Sequence, residues 1–238
     1  MAAKKKYSMT WYVKKYMGGW DWDKMFMDEV KKFVDLGEHP NIDFSGTPIE
    51  FANQMYAEGK KRLTVYGGAY FTPLPVALDL VDMVGARPGM TIFDPCAGIG
   101  NLMWAAQERG AEAFGFEIQL PLAHAAQALG FDVELGDSRE KDYFHVVWGQ
   151  REFTQVVVNP PFGNLFGSPD IAVDIMTRIH EFGKLAAAIL PNGWWDKPQK
   201  KYAAIRERFE VLDRVPLPDK AFAPLTNISA ERLLLRPT

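Results

Sequence analysis

Five short apolar runs, each closed by one polar residue, most constrain what this chain can fold into. Thr91-Ile92-Phe93 runs into Asp94, Glu112 to Glu117 closes on its own last carboxylate, and Asp132 to Leu135 leads to Gly136-Asp137. Gln155 to Val158 leads to Asn159, and Leu185 to Leu190 leads to Pro191-Asn192. The closing residues stand 23, 20, 22 and 33 positions apart, close to the length of one strand plus one helix. Helical stretches fill the gaps, such as the alanine-rich run after Glu117 that reaches Leu129 and stops at Gly130. Strands alternating with helices at this spacing predict an α/β fold with an open, doubly wound, mostly parallel sheet. In such sheets ligands sit at the carboxyl ends of the strands. Asp94, Glu117, Asp137, Asn159 and Asn192 therefore mark where chemistry is expected.

The first 60 residues have a different texture. Phe26, Val30, Phe33 and Val34 recur at helical spacing, predicting a helix from about Trp22 to Leu36 that ends near Gly37. Thr47-Pro48-Ile49-Glu50 has the form of a capping box with proline at the first helical position, opening a helix expected to run to about Gly59. A further helix starts at Thr72-Pro73, carries Leu74, Leu78, Val81 and Val84 on one face, and stops at Gly85. We read a small N-terminal helical extension over residues 1–62 and a larger α/β domain over 63–238. A single cysteine excludes an intramolecular disulfide framework and a multi-cysteine zinc site, and the four histidines fall in no ligand spacing, so no metal is expected. No apolar run approaches the roughly 20 residues of a membrane span, and no apolar core follows the N-terminal lysines, so a cytoplasmic protein is expected. A net charge of −3 excludes polyanion binding by bulk charge.

Asp94-Pro95-Cys96-Ala97-Gly98-Ile99-Gly100-Asn101 follows a strand and opens a helix. Gly98 and Gly100 allow close backbone approach to a ligand, and the helix start offers free N–H groups. The same run could be only a tight strand-to-helix turn. It is a poor phosphate cradle, because Met103 stands where the third glycine of a dinucleotide fingerprint would be and a P-loop lysine is missing. Glu117 could accept from both hydroxyls of a ribose or be a solvated strand end. Asp137 could accept from an exocyclic amine such as that of adenine or serve only its turn. Together, at successive strand ends, the three carboxylates describe a nucleoside pocket.

Val156-Val157-Val158-Asn159-Pro160-Pro161-Phe162-Gly163 is the most informative run. Two prolines fix φ, remove donors and push Asn159 into extended backbone, so the loop is stiff. It presents the Asn159 amide oxygen and the Pro160 carbonyl as acceptors beside the flat ring of Phe162. Two acceptors on one side suit a planar amine with two hydrogens to donate, and the ring suits stacking on the base that bears it.

Asp94-Pro95-Cys96-Ala97-Gly98 together with Asn159-Pro160-Pro161-Phe162 resembles the amino-group methyltransferases that use S-adenosylmethionine. Tyr70-Phe71-Thr72-Pro73 is similar to their N-terminal cofactor motif, and Leu190-Pro191-Asn192-Gly193 and a late strand from Val211 to Leu217 followed by Phe222 also match. The order looks most like the adenine-specific DNA methylases, above all the modification subunits of type I restriction systems. The resemblance covers about Val65 onward. It implies a Rossmann-like S-adenosylmethionine methyltransferase fold with a seven-stranded sheet. It implies methionine-side contacts from Tyr70, Thr72 and neighbouring backbone, and a methionine and ribose region lined by Asp94, Ala97 and Gly98. It further implies ribose hydroxyls on Glu117, the cofactor's adenine on Asp137 and Ile118, and the target amine on Asn159 and Pro160, with Asn159 also at the cofactor's edge. Phe162 would stack on a flipped target base.

Type I modification subunits are much longer and carry larger extensions, so the resemblance implies DNA as partner with a separate specificity or target-recognition subunit. Two local patches could contact phosphates: Lys4, Lys5, Lys6, Lys14 and Lys15 with Tyr7, Trp11, Tyr12, Tyr16 and Trp20, and Trp194, Trp195, Lys197, Lys200, Lys201, Tyr202 and Arg206. Three acceptor readings stand together: adenine in DNA, a base amine in RNA or a protein glutamine, and an inactive methyltransferase-fold partner. Phe162 in place of tyrosine weighs against glutamine, and the intact Asn159 to Phe162 loop weighs against inactivity.

Overall fold

The computed structural model describes residues 6–16, 21–63, 69–140, 153–222 and 227–238. Lys4, Lys5, Trp20 and Val65, named above, and His145, one of the four histidines, lie outside them. Three helices come first: α1 (Met9–Tyr16), α2 (Trp22–Leu36) and α3 (Pro48–Leu63). Then follow α4 (Leu74–Met83), β1 (Thr91–Asp94), α5 (Asn101–Glu108), β2 (Glu112–Glu117), α6 (Leu120–Ala128) and β3 (Asp132–Leu135). After β4 (Gln155–Val158) come α7 (Ile171–Ile179), β5 (Leu185–Pro191), α8 (Lys200–Arg206), β6 (Phe209–Pro216) and β7 (Ala230–Pro237).

The strands form one seven-stranded sheet in the order β3-β2-β1-β4-β5-β7-β6. The first five in that order are parallel, and β7 inserts antiparallel between β5 and β6. The chain winds outward from β1 to β3, then returns to place β4 on the other side of β1. That reversal is the switch point at which open α/β sheets form a crevice. β4 is buried at all four residues, as its unbroken valine run requires of a strand with helices on both faces. Its side chains alternate: Val157 joins an apolar layer with Ile92, Leu80 and Val81, while Val156 and Val158 join Phe93, Ile175 and Met176. A third apolar cluster unites Phe26, Phe33, Phe51 and Met55 of α2 and α3 with Phe71, Ile99 of the glycine loop, and Leu122 and Ala125 of α6. The N-terminal helices thus pack directly behind the residues that enter the crevice.

Several sequence expectations need correction. Helix α3 continues through Gly59 to Leu63. Gly59 is there because a Cβ would meet the Trp22 ring at 2.1 Å, so it marks helix contact and not helix end. Helices α1, α7 and α8 and strand β7 were not anticipated. The predicted late strand runs Phe209–Pro216, two residues earlier than expected at its start. In the second basic patch the aromatics are core residues: Trp194, Trp195 and Tyr202 are 3%, 5% and 4% exposed, which leaves no ring there to stack on a base. The patch is basic on its surface alone, since Lys197, Lys200 and Lys201 are exposed. In the first patch Tyr12 is buried in the third cluster, while Trp11 and Tyr16 remain exposed and Trp11 stacks on Tyr7 at 4.0 Å. Among the described residues no helix is long and apolar enough to cross a membrane.

Candidate functional site

A cleft open to solvent lies at the carboxyl ends of β1, β2, β3 and β4. Tyr70, Thr72, Asp94, Ala97, Gly98, Glu117, Ile118, Asp137, Asn159, Pro160 and Phe162 all line it. The spacing of strand ends thus brings together every residue singled out for cofactor or target. Asn192, the fifth strand-end residue, does not line the cleft; its N–H donates instead to the Ser229 carbonyl at 3.0 Å.

The glycine loop is shaped by its own strand ends. Gly98 and Gly100 have φ of +56° and +92°, and a Cβ on Gly100 would meet the Phe131 ring at 2.3 Å. Such backbone is open to glycine at little cost and to other residues only under strain. The Ala97 N–H donates to the Phe116 carbonyl at 2.8 Å, and the Gly98 N–H to Glu117 Oε2 at 2.8 Å. Glu117 Oε1 accepts from the Gln119 N–H at 2.8 Å, so both carboxylate oxygens are pinned by backbone. Burial pushes the Glu117 carboxyl above its ordinary range, against the pull of those N–H groups.

Asp94 is buried at the floor, with Oδ1 accepting from the Cys96 N–H at 2.9 Å. Its Oδ2 is buried and has no hydrogen-bond partner among the described residues. Burial, with the nearby Glu117 charge adding, raises its pKa to about 7 against the opposing Cys96 hydrogen bond. A buried carboxylate without a partner is costly unless it is protonated or meets a donor.

Asp137 behaves in the opposite way. Burial raises its pKa, but the hydrogen bonds and charge of Arg139 outweigh burial and hold it below the usual carboxylate range. Arg139 Nη2 donates to Asp137 Oδ2 at 2.5 Å and to the Phe166 carbonyl at 3.0 Å. It therefore ties the end of β3 to a turn in which Leu165 and Ser168 exchange backbone hydrogen bonds. Phe166, at φ +49°, stands half-exposed at the tip of that turn and lines the cleft.

The Asn159 amide is fixed in one orientation. Its Nδ2 donates to the Tyr70 carbonyl at 3.0 Å and to Thr72 Oγ1 at 3.1 Å. Both amide hydrogens are thereby used, and Oδ1 is left to meet a donor from the cleft. Tyr70 itself is held at the rim, with Lys60 Nζ 3.5 Å from its ring centroid and bonded to the Ala69 carbonyl at 2.7 Å. Phe162 is half-buried against the second apolar layer. Sequence reading missed Asn101, Gln119, Ser138, Leu165 and Phe166 as lining residues. A helix-opening asparagine directly after Gly98-Ile99-Gly100 was the one available signal for Asn101.

The lining thus holds three carboxylates, and no lysine or arginine is among the described lining residues. Arg139 compensates Asp137, so Asp94 and Glu117 carry the uncompensated acidity, which favours a cationic group beside them.

Comparison with known proteins agrees with this geometry. A family described as N-6 DNA Methylase matches residues 41–188, which include the glycine loop, all three carboxylates and the Asn159 to Phe162 loop. No curated protein matches the chain. Among solved structures, one described as a modification subunit of a type I restriction enzyme from Vibrio vulnificus superposes with a TM-score of 0.63 at 20% identity, covering 83% of this chain and 51% of that one. The type I restriction enzyme EcoKI M protein gives 0.59 at 16% identity, covering 92% and 55%. A protein described as a class I S-adenosylmethionine-dependent methyltransferase from Listeria monocytogenes gives 0.69 at 12% identity, covering 97% and 84%. These likenesses establish the Rossmann-like methyltransferase fold, and the chain spans about half the length of the modification subunits it resembles. Since the family match takes in well over half of the residues and every motif that lines the cleft, the chain belongs to the N-6 DNA Methylase family.

Proposed function

We propose that the protein transfers a methyl group from S-adenosylmethionine to the exocyclic N6 amine of adenine in DNA. The observation that carries this reading is the Asn159 amide, whose two hydrogens are spent on Tyr70 and Thr72 so that an oxygen faces an incoming amine. The cofactor fits the rest of the cleft. The unpartnered Oδ2 of buried Asp94 suits the ammonium of its methionine part, Glu117 has lone pairs left for ribose hydroxyls, and Asp137 stands at the end of β3 for an adenine amine. Tyr70, Ala97, Gly98 and Ile118 complete that lining, and Thr72 lines the same cleft with its hydroxyl given to Asn159. When bound, S-adenosylmethionine supplies a methyl group on a positively charged sulfur that is already a good leaving group.

The residues of this chain have the task of positioning. An adenine amine is a poor nucleophile because its lone pair is delocalised into the ring. Hydrogen bonds from the amine to Asn159 Oδ1 and the Pro160 carbonyl favour a tetrahedral nitrogen with its lone pair free to attack. Holding both reactants in line supplies much of the remaining barrier lowering. No strong base is needed, since the proton can leave after the methyl group has moved. A base inside duplex DNA must be turned out of the stack, and Phe162 offers a surface that offsets part of that cost.

In this reading residues 63–238 carry the chemistry and 1–62 support it, with a separate subunit supplying target recognition. The net charge of −3, and in the second basic patch the use of Lys201 on Asp170 and of Arg206 on the Trp195 carbonyl, reduce what that patch can offer to DNA. The test is incorporation of tritiated methyl from labelled cofactor into DNA, RNA and protein in parallel. Label in DNA at N6 of adenine is expected. Label confined to RNA or protein would move the acceptor, and none anywhere with intact cofactor binding would make the chain an inactive partner.

A further inference from the structure

We infer that Thr72, backed by a reciprocally bonded pair of asparagines on α3 and α5, is a positioning device that keeps the oxygen of Asn159 turned toward the target amine. This deepens the proposed function and rests on it. The two ends of an asparagine amide have nearly the same shape, so packing alone does not decide which one faces the cleft. Hydrogen bonding does. The Tyr70 carbonyl can only accept, so it selects the NH2 group on its side; the Thr72 hydroxyl accepts the second amide hydrogen and holds the amide in that orientation.

The Tyr70–Thr72 segment is held in turn from behind. The Thr72 carbonyl accepts from Asn101 Nδ2 at 2.7 Å. Asn101 and Asn53 pair reciprocally: Asn101 Nδ2 donates to Asn53 Oδ1 at 2.8 Å, and Asn53 Nδ2 donates to Asn101 Oδ1 at 3.0 Å. Asn53 Nδ2 also donates to the Ile49 carbonyl at 2.9 Å. Every amide hydrogen of the pair is used, and Thr72 and Asn101 are each 3% exposed. A network with its amide hydrogens all used, buried at Thr72 and Asn101 and partly buried at Asn53, is rigid, and a rigid support is what a positioned acceptor needs. Asn53 belongs to the N-terminal helices and does not line the cleft, so the network carries their influence to the catalytic loop.

The test compares Thr72→Val, Thr72→Ser and Asn53→Ala with wild type, measuring kcat, KM for DNA and cofactor Kd. Loss of about 10- to 100-fold in kcat is expected for Thr72→Val, the range that follows when a reacting group is misplaced by a fraction of an ångström to an ångström. Its cofactor Kd should stay within about 3-fold, Thr72→Ser should recover most of the rate, and Asn53→Ala should lower kcat in the same sense. A loss that appears in cofactor Kd and not in kcat would place the Thr72 hydroxyl on the cofactor and overturn the inference, as would wild-type kcat in Thr72→Val. A readout that needs no turnover keeps the two proposals apart. The Asn159 side-chain NH2 resonances, identified by their loss in Asn159→Asp, should be protected from hydrogen exchange in wild type and lose protection in Thr72→Val. Protection unchanged by Thr72→Val would refute the positioning role, whereas protection lost in a protein that methylates nothing would sustain it and sink the proposed function.

Discussion

The sharpest consequence of the cleft is a pH dependence of cofactor affinity that runs through Asp94. In the free protein its carboxyl titrates at about 7, raised from 3.8 chiefly by burial. A cationic ligand bonded to Oδ2 stabilises the ionised form and returns the group toward its ordinary range. Binding then has to remove a proton at acid pH, so affinity falls as pH drops below about 7. For one such group the linkage relation gives a Kd about 50-fold weaker at pH 5 than at pH 7. Titration calorimetry of S-adenosylmethionine across that interval, in buffers of differing ionisation enthalpy, reads both the slope and the proton released. Glu117 is also raised by burial and adds in the same direction, so Asp94→Asn separates the two. That variant should bind more weakly at pH 7 and lose most of the slope. A Kd flat from pH 5 to pH 7 in wild type would refute the assignment of a cation to Asp94. The same raised pKa acts on stability in the free protein. Asp94 contributes its full share below about pH 4 and loses it as pH rises through about 7, because the unfolded chain ionises first.

Asn159→Ala should abolish methyl transfer while cofactor Kd changes only a few-fold, measured by tritium incorporation and calorimetry; a mutant that keeps most of its rate would remove Asn159 from the target site. Glu117→Ala should weaken cofactor binding by about 1–3 kcal/mol and also lower Tm, since its oxygens hold the Gly98 and Gln119 N–H groups. Gly59→Ala should destabilise the fold by about 1–3 kcal/mol in a thermal melt, reversing the usual gain of alanine within a helix, because the new Cβ would overlap the Trp22 ring. DNA binding by the isolated chain should be weak and fall with salt at a log–log slope of about −0.9 per phosphate contacted. Replacing Lys197, Lys200 and Lys201 by glutamine should flatten that slope, and an unchanged slope would take the patch off the DNA path.

By itself the sequence determined the strand-helix alternation, because an apolar run of four to six residues closed by one polar residue has few other uses. It also determined which residues meet. Successive parallel strands start from the same edge of the sheet, so equal spacing along the chain becomes adjacency at the opposite edge. That is why Asp94, Glu117, Asp137 and Asn159 share one cleft. Local backbone chemistry was legible as well, in the Thr47 to Glu50 capping box, where Glu50 Oε2 accepts from the Thr47 N–H at 2.7 Å, and in the glycine turns. What the sequence could not carry were facts that depend on partners far along the chain. Trp194, Trp195 and Tyr202 read as a surface beside lysines, yet burial is decided by what packs opposite them, here the second apolar layer. Gly59 read as a stop, yet its role is set by Trp22, 37 positions earlier. Strand β7 has an ordinary apolar pattern, and only pairing with both β5 and β6 gives it an inner place in the sheet. The orientation of Asn159 and the unpartnered oxygen of Asp94 are likewise tertiary. The first depends on hydrogen bonds to Tyr70 and Thr72, which the sequence keeps 89 and 87 positions away and the fold brings within 3 Å or so, and the second on the burial that the packed sheet imposes.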